Sequence, residues 1–152
     1  MSLNEEVEVL RRVPLFARID PAKLKLLAFT SERLVFPAGS ELFHQGDAGD
    51  AAYILLDGEA DILVDTPEGE IVVAKAGRHE FVGEIAILID VPRTATVRAR
   101  SELSTLVVTK ETFLGMASEF PDVAIEIMRE LAQRLADTTA QLTAARAAAA
   151  AG

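Results

Sequence analysis

The spacing of hydrophobic positions changes twice along the chain, which divides it into a helical beginning, a strand-rich middle and a helical end. Residues 4–12 alternate acids with valines and a leucine, and this pattern predicts a short amphipathic helix. Asp20 and Pro21 predict the start of a second helix, because aspartate caps the first amides and proline suits the first turn. The predicted buried face of this helix comprises Leu24, Leu26, Leu27 and Phe29.

Short apolar runs separated by Gly, Pro and Asp mark the middle of the chain, about residues 32–109. Their regular spacing predicts strands of an antiparallel sandwich or barrel. Periodicity alone indicates an all-β middle and does not select the topology. The strand-like runs are residues 33–36, 41–43, 52–56, 60–64, 71–74, 95–99 and 103–108.

The end of the chain, about residues 110–149, has helical spacing. A short helix is predicted from Lys110 to about Phe120, and Pro121 then opens a long one. Apolar and small residues recur three and four apart along the long helix, the seam spacing of a coiled coil, and we expect a parallel homodimer through it. The alternatives are a helix that packs on its own domain or on another partner. The predicted seam is Met128, Leu131, Leu135, Thr138, Leu142, Ala145 and Ala149.

Composition narrows the class of protein. The 152 residues suit one domain with a core, here expected to span residues 1–152. The chain has no cysteine, which excludes disulfides and thiolate metal sites and agrees with a reducing cytoplasm. Its net charge is −9 and it has no basic cluster, so we expect no direct nucleic-acid binding. The sequence has neither a signal peptide nor an apolar run of membrane-spanning length, and we expect a soluble, cytoplasmic protein.

The candidate catalytic and metal-binding residues do not form working sets. Asp47, Asp50 and Asp57 lack the spacing of a calcium loop. His44 and His79 are the only histidines, and we interpret both as exposed or turn residues. The serines have no base arranged beside them, so the sequence predicts no enzyme, no cofactor and no metal.

One stretch does combine groups that suit a ligand. Gly83 follows a predicted strand end and opens a short apolar helical turn, whose first amides have no partners within the helix. Such amides favour an anion, and Arg93 could add a full positive charge with a planar fork that suits phosphate oxygens. Glu84 is a hydrogen-bond acceptor, which a sugar hydroxyl requires. Together these groups suit a ligand with a phosphate and a ribose.

This stretch, GEIAILIDVPRTATV at residues 83–97, resembles the phosphate-binding cassette of cyclic nucleotide-binding domains. The resemblance covers nearly the whole chain, including a helical opening similar to the family's at about residues 4–30. It implies a mainly β fold, an antiparallel β-roll or jelly roll with N-terminal helices and a long C-terminal helix. It also implies that Glu84 binds the ribose 2′-hydroxyl and Arg93 the cyclic phosphate. The remaining nucleotide-binding positions in the cassette are then Gly83, Ile85, Ala86, Thr94 and Ala95, with backbone donors near Ala86 and Ala95.

The long helix adds two candidate ligand residues, Thr138 and Thr139. The spacing from Arg93 to this pair is similar to that in the sensor half of Crp/Fnr-type regulators, which implies that the threonines contact adenine, either both from one chain or one from each subunit. Alternatively, they are ordinary helix residues that set the register. Thr94 could favour guanine through its hydroxyl, whereas the threonine pair favours adenine, so we expect cyclic AMP rather than cyclic GMP.

The resemblance implies a regulatory domain that senses a cyclic nucleotide and signals to a downstream protein through movement of its C-terminal helix. In this mechanism the ligand draws the cassette, Arg93 and the long helix together. The chain ends in an alanine-rich run at residues 144–152, where Crp/Fnr-type regulators continue into a helix-turn-helix domain. The alternative is therefore a truncated or nucleotide-independent regulator of the same type that acts as a dimeric interaction module.

Overall fold

The structure is a computed structural model that describes residues 2–151. Met1 and Gly152, the ends of the predicted single domain, lie outside the described residues. The chain begins with helix α1 (Leu3–Arg11), a 3₁₀ turn (Pro14–Phe16) and helix α2 (Pro21–Thr30). The predicted start of α2 is confirmed, since the Asp20 side chain accepts a hydrogen bond from the Ala22 amide at 2.9 Å.

Each predicted strand-like run forms a strand, and the predicted strand end before Gly83 forms another. The strands are β1 (Glu32–Phe36), β2 (Glu41–Phe43), β3 (Ala51–Asp57), β4 (Ala60–Thr66), β5 (Gly69–Ala76), β6 (Phe81–Val82), β7 (Thr96–Ala99) and β8 (Leu103–Thr109). They pair in two antiparallel sheets, with the orders β1-β8-β3-β6 and β2-β7-β4-β5. The predicted fold class, an antiparallel β-roll with flanking helices, is confirmed.

Strand β3 of the first sheet is covered on both faces, and its sequence shows how this is achieved. Ala52, Ile54 and Leu56 belong to a core shared with the helices. Leu55 points the other way, into a second core between the two sheets, and partly buried Tyr53 packs against that core. Because successive side chains alternate between faces, a nearly continuous apolar run serves both layers.

Two helices follow the sheets, α4 (Lys110–Glu119) and α5 (Pro121–Ala151). Only the first part of α5 packs on the rest of the chain, where Val123 and Ile127 are buried. Every described residue from Leu135 to Ala151 is exposed. Of the predicted seam, Met128, Leu135 and Leu142 are more than half exposed, and Leu131 packs against the core. No helix in residues 2–151 combines the length and apolar character needed to cross a bilayer.

The predicted buried face of α2 is wrong in part. Leu24 and Leu27 are buried, but Leu26 is 49% and Phe29 is 78% exposed. A helix turns about 100° per residue, so Leu24, Leu27 and Ala28 share the face that packs inward. Leu26 and Phe29 lie outside that stripe although both are apolar.

Candidate functional site

Helix α3 (Glu84–Ile89) and the residues around it form one wall of a cavity of about 190 Å³. The opposite wall comes from the second sheet, through Phe43, Ile62 and Val97. Gly83 precedes the helix with a φ of +85°, a conformation that a residue with a Cβ adopts only at a cost. The chain can therefore turn from β6 directly into α3 at the edge of the cavity.

Arg93 is the buried cation of this site, with only 4% of its surface exposed. Its Nη1 donates to the Gly83 carbonyl at 3.0 Å and its Nη2 to the Ala51 carbonyl at 2.6 Å. Its Nε is buried and has no hydrogen-bond partner within residues 2–151. Burial lowers the pKa of Arg93 from its usual value, while Tyr53, Asp50 and Asp47 raise it, and an arginine remains charged.

No carboxylate within the described residues lies at ion-pair distance from Arg93. Instead, the guanidinium lies over the Phe43 ring, 4.0 Å from the ring centroid. Burying a charge without an opposite charge is costly. The site thus holds a positive charge that its own side chains leave without a direct counter-ion.

Two glycines allow the backbone to approach this guanidinium closely. A Cβ on Gly83 would lie 2.7 Å from Arg93 Nη1 and 3.1 Å from the Phe43 ring. A Cβ on Gly49 would lie 2.5 Å from the Ala86 Cβ and 3.2 Å from Arg93 Nε. The loop before β3 and the start of α3 therefore enclose Arg93 from two sides.

Glu84 lies on the same cavity wall, and its side chain is 15% exposed. Its Oε1 accepts a hydrogen bond from Nη1 of Arg134, on helix α5, at 3.2 Å. The second carboxylate oxygen, Oε2, makes no ion pair in the described residues. Glu84 can thus bond Arg134 with one oxygen and accept a hydroxyl with the other.

The other predicted site residues fall into two groups. Gly83, Glu84, Ile85, Ala86, Arg93, Thr94 and Ala95 all line the cavity, and the structure therefore brings the predicted cassette residues together. Thr138 and Thr139 do not line it and are exposed on α5. Their predicted contact with the base remains a prediction.

A polar cluster supports the far end of the cassette. Backbone bonds tie Arg93 to the preceding turn: its amide donates to the Asp47 carbonyl at 2.8 Å, and its carbonyl accepts from the Gly46 amide at 2.9 Å. In that turn His44 Nδ1 lies 2.9 Å from the Glu41 carboxylate. No group of three or more His, Asp or Glu side chains within residues 2–151 is arranged to hold a metal ion.

Sequence reasoning missed Phe43, Gly49 and Arg134 as parts of this site. Phe43 reads as an ordinary apolar strand residue and Gly49 as a turn glycine. Arg134 is one of several charges on a long helix. Each becomes notable only through a contact between segments that are distant in sequence.

Comparison with known families agrees with this geometry. The family model for the cyclic nucleotide-binding domain matches residues 33–120, which include β2 to β8, α3 and α4. The chain belongs to this family.

Two similar proteins illustrate how such domains occur in longer chains. The chain is 35% identical over 104 residues to the cAMP-dependent protein kinase regulatory subunit of Emericella nidulans, covering 68% of this chain and 25% of that one. It is 30% identical over 118 residues to lysophospholipase nte1 of Neosartorya fischeri, covering 77% of this chain and 8% of that protein. The chain thus spans a quarter or less of these two relatives.

Two solved structures also match. The N-terminal domain of a transcriptional regulator from Streptomyces coelicolor A3(2) superposes with a TM-score of 0.74 at 35% identity, covering 86% of this chain and 94% of that one. The catabolite activator protein of Thermus thermophilus gives a TM-score of 0.77 at 28% identity, covering 88% of this chain and 63% of that one. The predicted resemblance to the sensor domains of Crp/Fnr-type regulators is confirmed.

Proposed function

We propose that this chain is a regulatory domain that binds cyclic AMP and passes the binding event to its long helix α5, without catalysing a reaction. The observation that carries the proposal is Arg93, a buried guanidinium that has no carboxylate partner within residues 2–151 and that lines a cavity together with Glu84. A ligand with one phosphate charge and a ribose supplies what these two side chains lack.

The phosphate would bind at Arg93. Two carbonyl oxygens occupy part of the guanidinium's donor capacity, and its Nε–H has no partner in the described chain. A phosphodiester oxygen can accept hydrogen bonds from the remaining N–H groups, and it adds the negative charge that the buried cation needs. Backbone amides near Ala86 and Ala95, which line the same cavity, are the expected additional donors.

The ribose would bind at Glu84, through the carboxylate oxygen that Arg134 does not use. The cavity of about 190 Å³ is smaller than the roughly 300–1,000 Å³ typical of ligand pockets. It suits the phosphate and sugar, and the base then extends beyond the cavity. Thr138 and Thr139 are the residues we propose to meet it, from this chain or from a second copy.

The route to α5 would run through Glu84. Arg134, on α5, forms an ion pair with Glu84, the residue proposed to bind the ribose. A second ion pair joins Lys110 of α4 to Asp90 at the end of α3, at 2.9 Å. A ligand that fixes α3 would shift the equilibrium position of both C-terminal helices. The preference for cyclic AMP is supported by the threonine pair and by the name of the E. nidulans kinase subunit, which is cAMP-dependent. Cyclic GMP is the competing ligand, because the hydroxyl of Thr94 could favour guanine.

A homodimer through α5 is part of the proposal. Met128, Leu135 and Leu142 repeat every seven residues and are 60%, 69% and 54% exposed, so they offer an apolar stripe that the described residues of this chain leave uncovered. Sedimentation of the wild type and of Leu135→Glu tests this assembly: we expect a dimer and a monomer, respectively. A monomeric wild type would refute it.

We also propose that the protein is cytoplasmic.

Calorimetric titration of cyclic AMP tests the ligand assignment. Replacing Arg93 by alanine should cost about 2–4 kcal/mol, or roughly 30- to 1,000-fold in affinity, since a charge-assisted contact in a partly dry pocket is lost. Arg98→Ala is the matched control. Arg98 lies on β7, the strand that follows Arg93, and it pairs with Glu41 and Glu70 instead of lining the cavity. An Arg93→Ala variant that binds as tightly as the wild type would defeat the assignment.

The second candidate is a nucleotide-independent regulator that acts as a dimeric interaction module. The observation in its favour is that two carbonyls and the Phe43 ring already surround the Arg93 guanidinium. A thermal-shift comparison separates the two, because a ligand at about 100 times its dissociation constant stabilises a protein by about 2.7 kcal/mol. No shift with cyclic AMP or cyclic GMP favours the second candidate.

A further inference from the structure

Phe43 reaches Arg93 because of an irregularity in the sheet. The pairing of β2 with β7 shifts between Glu41 and Phe43. Glu41 pairs with Arg98, and Phe43, two residues later in β2, pairs with Val97, which is only one residue from Arg98 in β7. Such a bulge re-aims the side chain that follows it. The Phe43 ring consequently lies against the guanidinium, at 4.0 Å, and beside Gly83, where an added Cβ would be 3.1 Å away.

The chemistry of this contact differs from that of an ordinary arginine partner. A carboxylate would stabilise the buried guanidinium but would also neutralise it and compete with an anionic ligand. An aromatic face attracts the cation through its quadrupole and carries no net charge. The site therefore stabilises Arg93 while leaving its whole charge available.

The contact also leaves the hydrogen-bonding capacity of the guanidinium to other partners, because an aromatic ring is not a hydrogen-bond acceptor of the carbonyl or phosphate kind. The guanidinium carbon lies 4.0 Å from the Phe43 ring centroid, whereas the hydrogen bonds of a guanidinium are made in its own plane. In that plane the Gly83 and Ala51 carbonyls hold Nη1 and Nη2, and Nε–H is unpartnered within residues 2–151. Ring and carbonyls together determine which way the remaining N–H groups point.

We propose that Phe43 is a positioning residue for anion binding, which holds the Arg93 guanidinium by a cation–π contact and so orients it towards the ligand phosphate. This inference rests on the proposed function, because the phosphate is that of the proposed cyclic nucleotide. The competing explanation is packing alone, since Phe43 also belongs to an aromatic row with Tyr53, whose ring centroid is 5.9 Å away.

Fluorination separates these explanations. Fluorine withdraws electron density from the ring face and weakens its attraction for a cation while nearly preserving the ring's shape. Wild-type protein and proteins with 4-fluoro- or 3,4,5-trifluorophenylalanine at position 43 would be titrated with cyclic AMP, together with Phe43→Leu. The same analogues at Phe36 are the matched control, because the Phe36 ring packs edge-on against Tyr53 at 6.0 Å in the same aromatic row.

We expect the dissociation constant to rise stepwise with fluorine number at position 43, and to be roughly 2- to 30-fold higher for Phe43→Leu. Fluorination of Phe36 should leave the dissociation constant unchanged. Binding by the wild type with a flat series at position 43, or equal effects at both positions, overturns the role of Phe43 and leaves the proposed function intact. No binding by the wild type overturns both. The fluorinated rings keep the test valid if Phe43→Leu fails to fold.

Discussion

The cassette, residues 83–97, and the outer part of α5, residues 135–151, both carry residues that the sequence predicts to touch a nucleotide, but different interactions hold them. The cassette is anchored by buried side chains such as Ile87 and by backbone bonds from Arg93 to the Asp47 turn. The outer part of α5 is exposed along its whole described length. The fold thus positions the residues proposed to bind the phosphate and the ribose, whereas the residues proposed to contact the base lie on a part of α5 that the other described residues leave uncovered.

The largest test of this difference compares two aliphatic side chains. Ile87→Ala removes a side chain that is 1% exposed in the core and should cost about 2–5 kcal/mol of unfolding free energy, because it leaves a cavity. Leu135→Ala removes one that is 69% exposed and should change that free energy by less than about 0.5 kcal/mol. Urea denaturation at low protein concentration, where helix association contributes least, measures both. Equal losses would contradict the comparison.

A second test concerns the backbone of the cassette. Gly83→Ala and Gly39→Ala both place a Cβ on a residue with positive φ, +85° and +91°, which costs about 1–2 kcal/mol in stability. Only at Gly83 does the new Cβ also meet Arg93 and Phe43, whereas no described residue lies within 4 Å of it at Gly39. We therefore expect Gly83→Ala to weaken cyclic AMP binding by roughly 10-fold or more, since a displaced guanidinium is misaligned.

Calorimetry on the two glycine variants gives the measurement, and Gly39→Ala is the control for strain without a clash, because the Gly39 amide bonds Ala99 and not Arg93. If both variants bind cyclic AMP equally well, the close approach of Gly83 to Arg93 has no part in ligand binding.

How much of the site could be predicted from the sequence depends on whether a feature is local in sequence or arises from contacts between distant segments. The cassette is a local pattern, in which glycine, glutamate and arginine recur at fixed spacing, and the structure does bring these residues to one cavity. The contact of Phe43 with Arg93 lies at a strand bulge, and the Glu84 to Arg134 bond depends on where the fold places α5 relative to α3. Neither leaves a periodic signal.

The error on α2 has a similar cause. Apolar character alone suggested that Leu26 and Phe29 were buried, but only residues three or four apart share the face that packs on α1 and α4. The element and its start were predictable from Asp20 and Pro21, because capping is local. Which of its apolar residues meet a neighbour is decided by the rest of the fold.

The bond between Glu84 of the cassette and Arg134, the residue just before the outer part of α5, offers a third, smaller test. Arg134→Gln removes the partner of Glu84 Oε1 and should weaken cyclic AMP binding by less than about 5-fold, because a partly exposed ion pair contributes about 0.2–1 kcal/mol. In wild-type protein, cyclic AMP should slow hydrogen exchange in α5 around Arg134, and in the variant this protection should be lost. The control is Arg129→Gln, whose arginine pairs within α5 with Glu126. Retained protection in Arg134→Gln would mean that the helix responds by another route.

The smallest effect concerns pH at the turn that supports Arg93. A hydrogen bond to Glu41 raises the pKa of His44 from its usual value near 6.5, with Asp65 and Asp47 acting in the same direction and desolvation opposing them. The stabilisation by protonated His44 is therefore fully present below about pH 6.5 and is lost as the pH rises through the higher pKa of the folded state. His79 differs, because burial and the nearby Arg12 and Arg78 lower its pKa.

Protonation of His79 consequently opposes folding, and its effect appears as the pH falls through about 6.5. Urea denaturation between about pH 5 and 8 measures both effects. In the wild type, His44 makes the free energy of unfolding fall as the pH rises, and His44→Gln should abolish this fall. His79 makes the free energy of unfolding increase as the pH rises, and His79→Asn should abolish this increase. Asparagine is chosen at position 79 because the residue has a φ of +71° and asparagine tolerates that conformation. Parallel pH profiles for the two variants would show that the Glu41 contact does not hold His44 in the folded protein, and that the backbone bonds from Asp47 and Gly46 support Arg93 without it.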